Sequence, residues 1–99
     1  MGSTVIYEDS GAFNDGTRYE MIATNIPKSD DYPEGAKYRF QYMTADGKTL
    51  LRFDNFPDHP DVDRHHYHTP DGVYDDIDYT SLREHVQAFY DAMDDHRTR

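Results

Sequence analysis

Tyr38, Phe40 and Tyr42 alternate with Lys37, Arg39 and Gln41. This period of two places three rings on one face of a strand and three polar side chains on the other. Ala45-Asp46-Gly47-Lys48 then turns the chain into Thr49-Leu50-Leu51-Arg52-Phe53, and the two runs together predict a hairpin. Upstream, Thr4-Val5-Ile6-Tyr7-Glu8 is a short β-type run expected to end at Asp9-Ser10-Gly11. Asn14-Asp15-Gly16 is a turn signal, because these residues tolerate positive φ. Residues 18–26 alternate loosely until Pro27 stops them, and residues 29–35 form a polar loop.

Beyond Phe53 the alternation dissolves. Pro57, Pro60, Pro70 and Gly72 interrupt a stretch rich in Asp and His, so residues 54–78 are expected to form a long loop with a short strand around 66–68 at most. A loop of that length in a small domain is more often functional than idle. The last element is a helix over about 81–96. Ser81 and Glu84 have capping-box spacing, and Leu82, Val86, Phe89 and Met93 make one apolar stripe. Arg97 and Arg99 fall where cations favour the helix dipole. The expected fold class is α+β: residues 1–99 as a single domain, with a small antiparallel sheet of three to four strands and one C-terminal helix packed on one face.

Composition sharpens this picture. Leu, Ile, Val and Phe number sixteen of 99, few for a chain of net charge −10, while nine Tyr and five Phe supply buried area. The core is therefore thin and aromatic. No apolar run is long enough for a membrane-spanning helix, and the absence of cysteine excludes disulfides and thiolate zinc sites. No positively charged, apolar leader opens the chain, so the expected compartment is the cytoplasm. Asp outnumbers Glu sixteen to four, and Arg outnumbers Lys seven to three. Short hydrated carboxylates with few lysines suit a halophilic, archaeal cytosol, where salt screens their mutual repulsion. The same charge argues against a broad phosphate-tracking surface but leaves room for a local cluster of Arg and His.

Such a cluster exists. His59, His65, His66 and His68 fall within ten residues, among Arg52, Asp54, Asn55, Asp58, Asp61, Asp63 and Arg64. Three chemistries fit. His66 and His68 share a face if extended and could hold a divalent transition metal such as zinc or nickel. A histidine could exchange the proton of a ribose 2′-hydroxyl while a guanidinium holds the phosphate. Or the histidines and arginines simply pair with neighbouring carboxylates. In a strand, Arg52 and Asp54 would share one face with Phe53 turned to the core, and Asn55 would end the strand through local hydrogen bonds.

The order of these motifs resembles the TumE-type toxins of prokaryotic toxin–antitoxin pairs. The likeness rests on Arg52-Phe53-Asp54-Asn55, then Pro57-Asp58-His59, then Arg64-His65-His66-Tyr67-His68, then the C-terminal helix. The chain departs from that pattern at Asp58, where a second histidine is expected, and in its acidity. The resemblance implies a small toxin neutralised through direct contact by a DNA-binding antitoxin. It supplies no mechanism.

Two readings follow. In the first, the chain is a toxin that cleaves RNA without a cofactor: Arg52 or Arg64 holds phosphate, one of His65, His66 and His68 is the base, His59 is the acid, and Asp54 orients a histidine. In the second, it is a non-enzymatic module of a halophile whose His-rich loop binds a metal or a protein. An exposed edge strand would suit an antitoxin segment or a homodimer. Composition yields one direct test. The melting temperature is expected to rise between about 0.1 M and about 2 M KCl, as self-repulsion is screened; a flat profile by circular dichroism would refute the halophilic reading.

Overall fold

The computed structural model describes residues 4–56 and 64–98. Six antiparallel strands run in chain order: β1 (Thr4–Ala12), β2 (Arg18–Asn25), β3 (Ala36–Met43), β4 (Thr49–Asp54), β5 (His66–Thr69) and β6 (Gly72–Tyr74). One helix, α1 (Leu82–Arg97), follows them. The α+β class holds, but the sheet has six strands where three to four were expected.

The β1–β2 and β3–β4 hairpins turn in the same way. Gly16 N–H donates to the Phe13 carbonyl at 3.0 Å, and Gly47 N–H donates to the Thr44 carbonyl at 3.0 Å. Each glycine then takes a positive φ, near 90°, the left-handed step that lets a three-residue loop rejoin its strand. β1 continues through Asp9-Ser10-Gly11 rather than ending there. Gly11 is not a terminator: a Cβ on it would come within 2.7 Å of the Tyr19 ring, which packs across it.

The two strands drawn from the expected loop are short and joined through Pro70-Asp71. β5 pairs with β4, setting Arg52 opposite His68, Phe53 opposite Tyr67 and Asp54 opposite His66. β6 adds Tyr74, whose ring stacks on Tyr67 at 5.3 Å. Neither strand shows clear alternation by itself; the long-range pairing decides.

α1 begins as expected. The Ser81 hydroxyl accepts from Glu84 N–H at 3.1 Å, while the Glu84 carboxylate accepts from the Thr80 hydroxyl. Val86, Phe89 and Met93 are buried against Met21, Ala23, Tyr38, Phe40, Tyr42, Leu51 and Phe53. Phe89 lies edge-on to Phe53 at 5.2 Å and to Phe40 at 5.7 Å. At the far end, Arg97 sits 3.5 Å over the Phe13 ring and donates to Thr17 and Tyr42 hydroxyls at 3.0 and 3.2 Å. That contact, more than the helix dipole, explains an arginine at this position; Arg99 lies outside the described residues. No helix among the described residues is long and apolar enough to cross a membrane.

The helix covers one sheet face, and no second helix among the described residues packs on the other. Phe89 is the hinge of this packing, so Phe89→Ala is expected to cost roughly 3–5 kcal/mol in urea melts. A cost below about 1 kcal/mol would mean the helix is not docked this way.

Candidate functional site on the open sheet face

Strand parity sorts the chemistry. Phe53 and Tyr67 point toward the helix, so Arg52, Asp54, His66 and His68 point to the opposite face, away from α1. There they meet around one carboxylate. Asp54 Oδ1 lies 2.8 Å from His66 Nε2, and Asp54 Oδ2 lies 3.1 Å from Arg52 Nε and 3.6 Å from His68 Nε2. Arg52 Nη2 closes the ring at 3.1 Å from His68 Nε2.

The two histidines differ in role. His66 is only 1% exposed, and its Nδ1 donates to the Arg64 carbonyl at 2.9 Å while Nε2 faces Asp54. Both nitrogens thus face oxygen atoms. With neither nitrogen open to solvent, His66 is a strut. The His68 side chain is 16% exposed, and its Nε2 lies 3.1 Å from the Arg52 guanidinium and 3.6 Å from Asp54 Oδ2. His68 is thus the more exposed of the two histidines beside Asp54.

The other expected residues go elsewhere. Arg64 and His65 belong to a second cluster, beneath the sheet near the start of α1. Arg64 Nη2 pairs with Glu34 at 2.9 Å and His65 Nε2 with the same carboxylate at 3.1 Å. Burial pushes the Tyr38 phenol up, and its hydroxyl shares a hydrogen bond with His65 Nδ1 at 2.9 Å. The His65 ring also stacks on Tyr79 at 4.5 Å. His65 and His66, adjacent in sequence, therefore sit on opposite faces of the sheet. His59 lies outside the described residues, as does Asp58.

Asn55 does more than end a strand. Fully buried, it accepts from Tyr38 N–H at 3.1 Å and donates to the Ala36 carbonyl at 2.8 Å. Its side chain extends the β3–β4 ladder by one rung and fixes the chain immediately after Asp54.

Lys37 and Arg39 were not singled out from sequence. They alternate on β3 with core rings, and Arg39 pairs across from Asp54. With Arg52, His66, His68 and Phe56 they line a cleft of about 240 Å³ around Asp54. Among the described lining residues, three Lys/Arg stand against one acid, in a chain carrying twenty Asp and Glu. The signal for them was available: their polar face is the face that Arg52 shares.

Comparison with known proteins adds one finding. The family model described as Toxin TumE matches residues 3–97. The chain belongs to the TumE toxin family. No curated protein and no solved structure gives a significant match. Family membership implies a toxin-like function and, in general, a cognate antitoxin.

Could this TumE-family site hold a metal? Asp54, His66 and His68 present ligand atoms within 4.8 Å of one another, and the Arg64 carbonyl behind His66 is the kind of support metal-bound imidazoles receive. Against this, Arg52 Nη2 lies 3.1 Å from the His68 nitrogen that would bind. A cation there would have to displace a guanidinium. The donor set fits a metal; the charge around it fits an anion better.

Below the sheet, the second cluster couples to α1 through His85. Burial among Tyr38, Phe53 and Tyr79, helped by nearby His65, pushes His85 down from 6.5 to about 4, against the opposing effect of a hydrogen bond with the Asp78 backbone. Burial also lowers His65, outweighing Glu34 beside it. The unfolded TumE chain then takes up protons that the folded one refuses. The part of the stability that comes from keeping His85 neutral is full above pH 6.5 and is lost as pH drops toward 4. Urea melts across that window are expected to show a shallower pH slope for His85→Phe than for the native chain; equal slopes would remove His85 as the cause.

Proposed function

We propose that this toxin cleaves RNA at the open-face cleft, without a metal, by transfer of protons through histidine. The observation supporting the reading is the concentration of Lys37, Arg39 and Arg52 beside a solvent-accessible His68, all around Asp54, on a protein that is otherwise strongly acidic. A phosphodiester entering the cleft draws Arg52 Nη2 off His68 and frees the Nε2 lone pair. His68 takes the ribose 2′-hydroxyl proton, the 2′-oxygen attacks phosphorus, and the bond to the 5′-oxygen breaks. His59 delivers a proton to that leaving oxygen. Arg52, with Lys37 and Arg39, stabilises the charge gathering on the phosphoryl oxygens. Asp54 holds the Arg52 guanidinium, and His66 holds Asp54.

This revises the roles drawn from sequence. Arg64 and His65 become supports of the fold, and His66 a positioning residue. The Asp-rich surface supports a high-salt cytoplasm as the place of action. Edge strand β1, with Val5 and Ile6 exposed, is our candidate contact for the antitoxin, and a homodimer through the same edge is its competing use. The competing function is a non-enzymatic metal module built on Asp54, His66 and His68.

Incubation of purified protein with RNA in KCl, with and without EDTA, separates these. Cleavage is expected to survive EDTA and to fall about 10²–10⁴-fold in His68→Ala. Arg52→Lys is expected to lose most activity too, since a point charge cannot span Asp54 and phosphate as a guanidinium does. Induced in a high-salt host at matched abundance, the native chain arrests growth and His68→Ala does not. Cleavage abolished by EDTA, or undiminished in His68→Ala, would overturn the mechanism.

A further inference from the structure

We infer that the cleft takes single-stranded RNA, with a base beside the scissile phosphate stacked on Phe56; this rests on the RNA-cleaving reading above. Of the phenylalanines, Phe40, Phe53 and Phe89 are buried, yet Phe56 is 49% exposed in a chain short of apolar residues. It lines the same cleft as Lys37, Arg52 and His68. Its backbone is also held in place: the preceding residue is the buried Asn55, and Phe56 N–H donates to Asp54 Oδ1 at 3.4 Å. An exposed ring that follows a buried anchor residue, beside a cleft lined by Lys37, Arg39 and Arg52, is the pairing that single-strand binders use. The cations track the backbone, and the ring takes the π-face of a base whatever its identity.

A duplex does not offer that face, because its bases are already stacked on each other, and A-form grooves display mainly backbone and 2′-hydroxyls. The surroundings also give the strand a direction. Arg39 lines three adjoining depressions on the open face. One, of about 330 Å³, is walled by Glu8, Asp9 and Glu20, and repels phosphate. The other, of about 490 Å³, combines Lys37 and Arg39 with Ile22 and Ile26. The strand therefore runs from Phe56 past Arg39 toward Ile26, not toward β1. Stacking also answers a problem of setting: phosphate contacts weaken steeply with salt, whereas contact between a ring and a base is not screened.

The chain contains no tryptophan, so Phe56→Trp installs a single reporter at the rim. The probe is a 2′-O-methylated oligonucleotide of mixed sequence, which lacks the attacking hydroxyl, used alone or annealed to its complement. Saturable quenching by the single strand and little by the duplex is expected, and Phe56→Ala is expected to weaken binding of the single strand about tenfold. Equal quenching by both forms, quenching by neither (which would make Phe56 a protein contact), or an unchanged Kd in Phe56→Ala would overturn the inference. Cleavage of unmodified RNA by the native chain is followed in parallel. Cleavage without a Phe56 effect refutes the stacking alone; Phe56-dependent binding without cleavage refutes the nuclease reading and upholds the ligand class.

Discussion

The pairing of β4 with β5 fixes both the core and the site at once. Phe53 opposite Tyr67 completes the apolar face under α1, and by parity Arg52 opposite His68 and Asp54 opposite His66 complete the open face. A slip of one residue would exchange the two sets. It would drive a guanidinium and a carboxylate into a thin aromatic core, which has no partners for them. The register is held from the side as well. Asn55 pins the exit of β4 to β3, and the Arg64–Glu34 pair pins the entry to β5. The geometry around Asp54 is thus inherited from the same contacts that stabilise the sheet.

Asp54 occupies a position that would be costly for an isolated charge. It is nearly buried, and its two oxygens are shared among a guanidinium and two imidazoles. Removing the carboxylate would leave those cationic or donor groups facing each other, so its loss would disturb the fold as well as the chemistry. This dependence separates Asp54 and His66, which hold the arrangement, from Arg52 and His68, whose partly exposed side chains can meet a ligand.

Much of this was legible in the chain. The alternation at 37–42, the Asp-Gly turn, and the 3.6-residue stripe of α1 each arise from local rules, and each element formed where expected. The shared face of Arg52 and Asp54, and that of His66 and His68, followed from strand parity alone. What escaped was long-range. The short strand expected around 66–68 is β5, but β6 is three residues opening on Gly72 and does not announce itself; it forms because β5 offers an edge and Tyr67 a ring to Tyr74. The separation of His65 from His66 was likewise implicit in parity, but only once residue 66 is known to begin a strand. Lys37 and Arg39 were visible as polar positions; their importance depended on β3 lying beside β4. Asn55 looked like a terminator because its partners, Ala36 and Tyr38, are close only in space.

The order of elements along the chain has a consequence for synthesis. All six strands are translated before α1, and until the helix arrives the face bearing Met21, Phe40, Tyr42 and Phe53 has no cover among the described elements. The helix is also tied back to the first hairpin through Arg97, Phe13 and Thr17, joining the earliest and latest parts of the fold. Strand pairing by itself therefore leaves the apolar face bare, and the core closes only when the last element to be made returns to the first hairpin.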